Sequence, residues 1–138
     1  MPLQLDIVTP EKRVLSESVD MVVLPGSEGE LGILPSHVPL VTALKPGELM
    51  YSIGGKQNFF AVGTGFVEVN GSGVSVLTDM AMDESDIDEK VVEEALHRAQ
   101  TQLQTIDHHT GSEEVAAVNA MIQKSLAQLH VKRRRRTI

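Results

Sequence analysis

Two periodicities divide the chain. From Leu3 to Met82 apolar residues recur in short runs with a period close to two, the spacing that places alternate side chains on one face of a strand. LQLDIV (Leu3–Val8) alternates, and Ser18–Leu24 contains Val19, Val22 and Val23. Leu49–Ile53, Asn58–Val62, Phe66–Asn70 and Val74–Thr78 follow. Thr9-Pro10-Glu11-Lys12 has the composition of a turn. Gly54-Gly55 and Asn70-Gly71 fall between apolar runs, where a tight hairpin takes residues at positive φ. Strands this close together, with no helix-length segment between them, predict an antiparallel sandwich or flattened barrel.

After Met82 the period lengthens. Ser85-Asp86-Ile87-Asp88 has the spacing of a capping box, and Ile87, Val91, Ala95, Ala99, Leu103 and Ile106 recur as one apolar stripe of a helix. The stripe stops at Asp107–Gly111. Ser112 offers a second cap, Glu113 and Glu114 complement the positive end of the helix dipole, and Val115, Val118, Ile122, Leu126 and Leu129 form a second stripe. So short a connection predicts an antiparallel helical hairpin. The expected class is therefore α+β, mainly β, with a sandwich over residues 1–83 and a two-helix hairpin over residues 84–138. Both stripes are narrow and Ala-rich, so the hairpin is expected to dock marginally on the sandwich and to be able to leave it.

Composition narrows the chemistry. The 138 residues are 41% hydrophobic but only 3% aromatic, so the core is built of Val, Leu, Ile, Ala and Met. The absence of cysteine excludes disulfides, thiolate metal sites and Cys nucleophiles. MPLQLDIVTP has no basic region followed by an apolar run, and no stretch approaches membrane-spanning length, so a soluble chain is expected, meeting a membrane only through a partner. The net charge of −7 is polarised. Lys132 to Arg136 hold five of the twelve basic residues, which leaves seven against nineteen acidic ones elsewhere. An acidic body of this kind argues against nucleic acid as a partner.

The candidate sites are few. Gly26, Gly29 and Gly32 are evenly spaced, but Ile33-Leu34 follows them where a phosphate loop needs Lys-Ser/Thr, and the spacing is not that of a dinucleotide fingerprint. His37 stands between two prolines with no relay partner or nucleophile elbow. His108-His109 point apart in a polar loop. The acidic stretch Asp79, Asp83, Glu84, Asp86, Asp88 lacks the glycine and closing Glu of a calcium loop and reads as a solvated linker. No catalytic pair, metal site or cofactor site is expected. Lys132, Arg133, Arg134, Arg135 and Arg136 read either as a solvated helix end or as a contact for an acidic protein surface. The residues alone describe a binding or regulatory module.

LPGSEGELGILPSHVPLVTALKPGEL, Leu24 to Leu49, resembles the signature region of the epsilon subunit of bacterial and chloroplast F-type ATP synthases. The similarity continues through Gly65–Val69, Val74–Leu77 and the helical tail. It implies a sandwich of about ten strands at the foot of the rotating central stalk, with one face on the gamma subunit and an end loop on the c-ring. By position, Glu30 and Leu31 fall in the c-ring loop and His37 in the region facing gamma and the ring. The resemblance further implies a non-catalytic subunit that couples proton flow to ATP synthesis, with a hairpin that inhibits ATP hydrolysis at the alpha/beta catalytic head. The setting it implies is peripheral, on the cytoplasmic face of a bacterial inner membrane or on a thylakoid membrane. Some members bind ATP through an acid–x–x–Arg–Ala motif. This chain has Ala95 in place of the acid but retains Arg98 and Ala99, implying at most a weak ATP contact at Arg98. The competing reading is an independent regulatory or scaffold protein built on a similar sandwich.

Overall fold

The computed structural model describes residues 3–105 and 112–134. Ten strands come first: β1 (Leu3–Val8), β2 (Arg13–Val19), β3 (Met21–Gly26), β4 (Gly29–Ile33), β5 (Leu40–Leu44), β6 (Gly47–Ile53), β7 (Lys56–Val62), β8 (Gly65–Val69), β9 (Gly73–Thr78) and β10 (Ala81–Asp83). A short 3-10 turn (Glu84–Asp86) leads to α1 (Glu89–Thr105) and α2 (Ser112–Arg134). The strands form one folded-over sheet in the order β10-β7-β6-β3-β5-β8-β9-β1-β2, with β4 paired to β3. Leu3, Leu5, Ile7, Val22, Leu24, Leu49, Val62, Val67, Val69, Val74 and Val76 meet inside it, all essentially inaccessible.

The mainly β sandwich with a helical hairpin agrees with the sequence pattern, and several local expectations are corrected. The pairing is antiparallel except between β1 and β9, which run parallel. The run Ser18–Leu24 is two strands that break at Asp20. There the backbone N–H bonds to Ser52 and the carboxylate accepts the Gly54 N–H at 2.8 Å. That bond anchors the β6–β7 turn, where Gly54 and Gly55 take φ of 57° and 81° as a tight hairpin requires. The Asn70 turn works differently. Gly71 does not adopt positive φ; instead the Asn70 side-chain oxygen accepts the backbone N–H groups of Ser72 and Gly73.

The first helix is capped by Asp88, whose carboxylate accepts the Val91 N–H at 3.3 Å, rather than by Ser85, which bonds to Asp83. The shift moves the apolar stripe of α1. Val92 and Ala99 are buried, with Leu96 and Leu103 beside them, while Val91 is 57% exposed. Ile106 and the Asp107–Gly111 connection lie outside the described residues.

The helix α2 carries two stripes, not one. Val118 and Ile122 pack with Ala99, Leu96 and Leu103 of α1. Leu129 and Val131 join Ala61, Ile87 and Val92, with Phe59, Met80 and Met82 around them. Leu126, expected inside, is 43% exposed. Thus α2 lies between α1 and the outer face of β6 and β7, and its docking is more extensive than two narrow stripes predict.

The closest approach in the sheet is at Gly65, where an added Cβ would stand 1.8 Å from the Leu77 carbonyl oxygen. The obstructing atoms are the Leu77 and Thr78 backbone of β9, which cannot yield, so Gly65→Ala is expected to cost about 3 kcal/mol, read as a lowered urea midpoint at unchanged slope. Gly32→Ala, which meets nothing within 4 Å, is expected to be neutral or to stabilise by about 0.5–1 kcal/mol.

Candidate functional site

The two halves of the sheet differ in what covers their outer face. On β6 and β7 the outward residues Glu48, Met50, Phe59 and Ala61 lie under α2, and Ala61 is fully buried. On β5, β8 and β9 no helix of the described residues packs in this way. There the register places Ala43 opposite Phe66, Phe66 opposite Leu77, and Leu77 opposite Val8 of β1. Phe66 is 61% and Leu77 53% exposed, with Val41 of the neighbouring row at 69%. The inward neighbours Val67, Val69, Val74 and Val76 hold these strands rigidly in the core. A sheet surface presenting a row of large apolar side chains to water is a candidate binding surface.

The glycine run forms a hairpin. Gly26 pairs with Gly29 around Ser27 and Glu28, and Gly29 has φ of 125°. Glu30, opposite Pro25, is exposed, whereas Leu31, opposite Leu24, is half-buried against the core. His37 lies in the connection from β4 to β5, after Ser36, a non-glycine residue at φ of 67°. Its Nδ1–H donates to the Val38 carbonyl at 2.7 Å. Among the described residues no hydrogen bond or ion pair joins His37 to Glu30, and neighbouring Leu34 and Val38 are 58% and 74% exposed. Shape and apolar exposure, rather than a relay, characterise this end of the sandwich.

The basic end of α2 is fully engaged as far as Arg134. Lys132 Nζ bonds to the Glu84 carbonyl at 3.2 Å and lies 3.3 Å from its carboxylate. Arg133 bonds to Glu89 at 2.8 Å and to Glu93, and these hydrogen bonds raise its pKa above the ordinary guanidinium value. Arg134 forks onto both oxygens of Glu48, at 2.8 and 2.6 Å, and stacks 4.6 Å from the centre of the Phe59 ring. In this conformation the acidic surface that Lys132–Arg134 meet is the chain's own, with Arg133 and Arg134 still partly open to water. Arg135 and Arg136 lie outside the described residues.

The acidic linker is likewise structural. Asp79 accepts the Thr64 N–H and hydroxyl and pairs with Lys124 of α2 at 2.6 Å, locking the corner between β9 and β10 beneath the hairpin. No cluster of metal-ligating side chains occurs among the described residues, and His108-His109 fall outside them. An open groove of about 550 Å³ between the helices is lined by Glu93, His97, Gln100, His130, Arg133 and Arg134, among others. Arg98 is exposed and is not among its lining residues. Among the described residues no helix is long and apolar enough to cross a membrane.

Sequence reading named Glu30, Leu31 and His37 but missed Phe66, Leu77 and Val41. The signal was present: β9 and β8 carry large apolar residues out of phase with their buried valines. Glu48, the carboxylate at which β6 and α2 meet, was also missed, because nothing local marks it.

Residues 2–84 match the family described as ATP synthase, Delta/Epsilon chain, beta-sandwich domain. The chain is 41% identical over 136 residues to the ATP synthase epsilon chain of Herpetosiphon aurantiacus, covering 99% of this chain and 98% of that one. It is 53% identical over 100 residues to the epsilon chain of Desulforamulus reducens, covering 72% and 76%. Among solved structures, a chain of the Euglena gracilis mitochondrial ATP synthase, OSCP/F1/c-ring in rotational state 1, superposes with a TM-score of 0.78 at 25% identity, over 94% of this chain and 79% of that one. With both the sandwich and the hairpin accounted for across nearly its whole length, the chain belongs to the ATP synthase epsilon chain family.

Proposed function

We propose that the chain is a non-catalytic subunit that joins the rotating gamma subunit to the c-ring and brakes ATP hydrolysis with its hairpin. The observation that carries the reading is the rigid apolar row Phe66–Leu77, with Val41 beside it, on the half of the sheet that the hairpin leaves bare. In this reading gamma covers that row. The β3–β4 hairpin and the following loop, with Glu30, Leu31 and His37, meet the polar loops of the c-ring, and coupling of proton flow to synthesis passes through this rigid block. The chain then reaches the membrane only through the complex, on the cytoplasmic face in a bacterium or on a thylakoid in a plastid.

Residues 84–138 act as the movable part against the rigid block of residues 1–83. In the packed conformation Lys132, Arg133 and Arg134 are committed to Glu84, Glu89, Glu93 and Glu48. In an extended conformation the pairs to the sandwich separate, and Lys132 to Arg136 become available to acidic segments of the alpha/beta head. Arginine substitutions therefore weaken both states, and truncation is the cleaner probe of braking.

Three outcomes are expected. Phe66→Asp with Leu77→Asp should reduce association with gamma by about a hundredfold or more, since two large apolar contacts are worth about 1.5–3 kcal/mol each. Undiminished co-purification would remove gamma from this face. Complexes whose chain lacks residues 84–138 should hydrolyse ATP faster than those with the full chain, and equal rates would end the braking reading. Calorimetry of the isolated chain should show no saturable ATP binding in the low micromolar range. Ala95→Asp should gain roughly tenfold to hundredfold in affinity by restoring a charged hydrogen-bond partner; tight binding by the unaltered chain would overturn the expectation.

A further inference from the structure

Successive residues of an α-helix project about 100° apart, so three consecutive side chains at a helix end can reach three different neighbours. The last described turn of α2 does this. Lys132 reaches the 3-10 linker at Glu84, Arg133 reaches the first turns of α1 at Glu89 and Glu93, and Arg134 reaches the sheet at Glu48 of β6. Arg133 continues the α1-facing stripe that passes through Ile122 and Leu129, one turn beyond Leu129. Arg134 continues the sheet-facing line of Lys124, Gln128 and Val131, whose polar members also bind the sandwich, at Asp79 and at the Met80 sulfur.

We propose that this turn is a three-way ionic clasp, with Glu48 as the sandwich-side anchor, that sets how often the hairpin leaves the sheet and makes that release sensitive to ionic strength. The proposal deepens the braking function and rests on it for its physiological meaning, but not for its test.

Glu48 is the suitable anchor for three reasons. It stands opposite Ala61 in the β6–β7 register, so its position is fixed by the sheet that the hairpin must leave. Its side chain is only 14% exposed and its carboxylate receives Arg134 through two nitrogens, while His130 lies 3.4 Å away. Bidentate pairing of this kind is geometrically selective in a way that a single lysine contact is not. Undocking α2 separates Arg134 from Glu48 and Lys124 from Asp79, whereas the contacts of Arg133 lie within the hairpin and can travel with it. Release therefore works mainly against the two sandwich pairs, and salt weakens both.

The opposing effects also separate the clasp from the brake. Salt and loss of Glu48 both promote release, whereas loss of the arginines removes the clasp and the proposed contact with the head together. Glu48→Gln acts on the packed state alone.

The chain has no cysteine, so one introduced thiol is a unique probe. Val131 is 1% exposed at the hairpin–sheet contact, and in the full-length Val131→Cys protein the thiol reacts with a maleimide only when α2 lifts. At low salt, adding Glu48→Gln should speed labelling by roughly fivefold, as expected for loss of one well-formed rim pair. Arg134→Gln should speed it at least as much, because the stacking on Phe59 goes too, and the two changes together should add little beyond Arg134→Gln. Raising potassium chloride from about 0.01 M to about 1 M, which shortens the screening length from about 30 Å to about 3 Å, should speed labelling of the parent more than of Glu48→Gln, in which only Lys124–Asp79 remains to be screened. A thiol at Val67→Cys, in the sandwich core, reports global opening and should not respond to Glu48→Gln. Equal labelling of parent and Glu48→Gln at low salt, a parent rate indifferent to salt, or a matching acceleration at Val67→Cys would each overturn the clasp. No ATPase takes part in this measurement, so a failed brake and a failed clasp give different results.

Discussion

Strand β7 is apolar on both sides, and that constraint shapes the rest of the molecule. Phe60 and Val62 point into the sandwich while Phe59 and Ala61 point out, and Ala61 is as inaccessible as the core valines. A sheet with such an outer face must be covered. The cover is α2, which must in turn be apolar on the sheet side and again on the α1 side. A helix buried from two directions cannot show one clean stripe, which is why Lys124 and Gln128 serve on its inner surface, the first as an ion pair and the second as a donor to sulfur.

From this asymmetry come two outer surfaces of different kinds. Over β6 and β7 the apolar contact is satisfied within the chain by an element that is joined to the sheet only through a short linker. Over β5, β8 and β9 the row of Ala43, Phe66 and Leu77 is left to water. The first is the contact that the proposed release of the hairpin would exchange, since Ala99, Val118 and Ile122 pack within the hairpin itself. The second, on strands held by the core valines, leaves Phe66 and Leu77 exposed among the described residues. Within one sheet the same chemistry is thus answered inside the chain on one half and left exposed on the other.

What could be read from the sequence follows the same division. Leu3–Val8 and Val74–Thr78 are legible because one face is buried and the alternation is clean. β2 is not, because Arg13–Val19 is an edge strand whose side chains are mostly solvated and so carry little apolar period. The helical hairpin is legible in outline, but its inner faces are not. Moving the cap from Ser85 to Asp88 turns the stripe of α1 from Val91 to Val92, a choice made by packing against Leu129 and Ala61, which are distant in sequence. The region of Glu30 and His37 was visible only through a family resemblance. Phe66 and Leu77 were visible as apolar residues, but whether an outward apolar residue is covered depends on which half of the sheet the helices choose.

The charge pattern carries the furthest consequence. A tip of five basic residues on a body that is otherwise strongly acidic invites the expectation of an external partner, and the fold supplies an internal one first. An acidic target on another subunit must therefore compete with Glu48, Glu84, Glu89 and Glu93 for the same cations, and only the difference between the two sets of contacts can shift the hairpin. On the packed side the cations of these pairs stay partly open to water, so each pair alone is worth little. The apolar clusters hold the packed state together, and the ion pairs at their edge are what a competing acidic surface would have to displace. The proposed brake would be served by this arrangement, since a hairpin held by its full apolar contact plus an unrivalled salt bridge would stay where it folded.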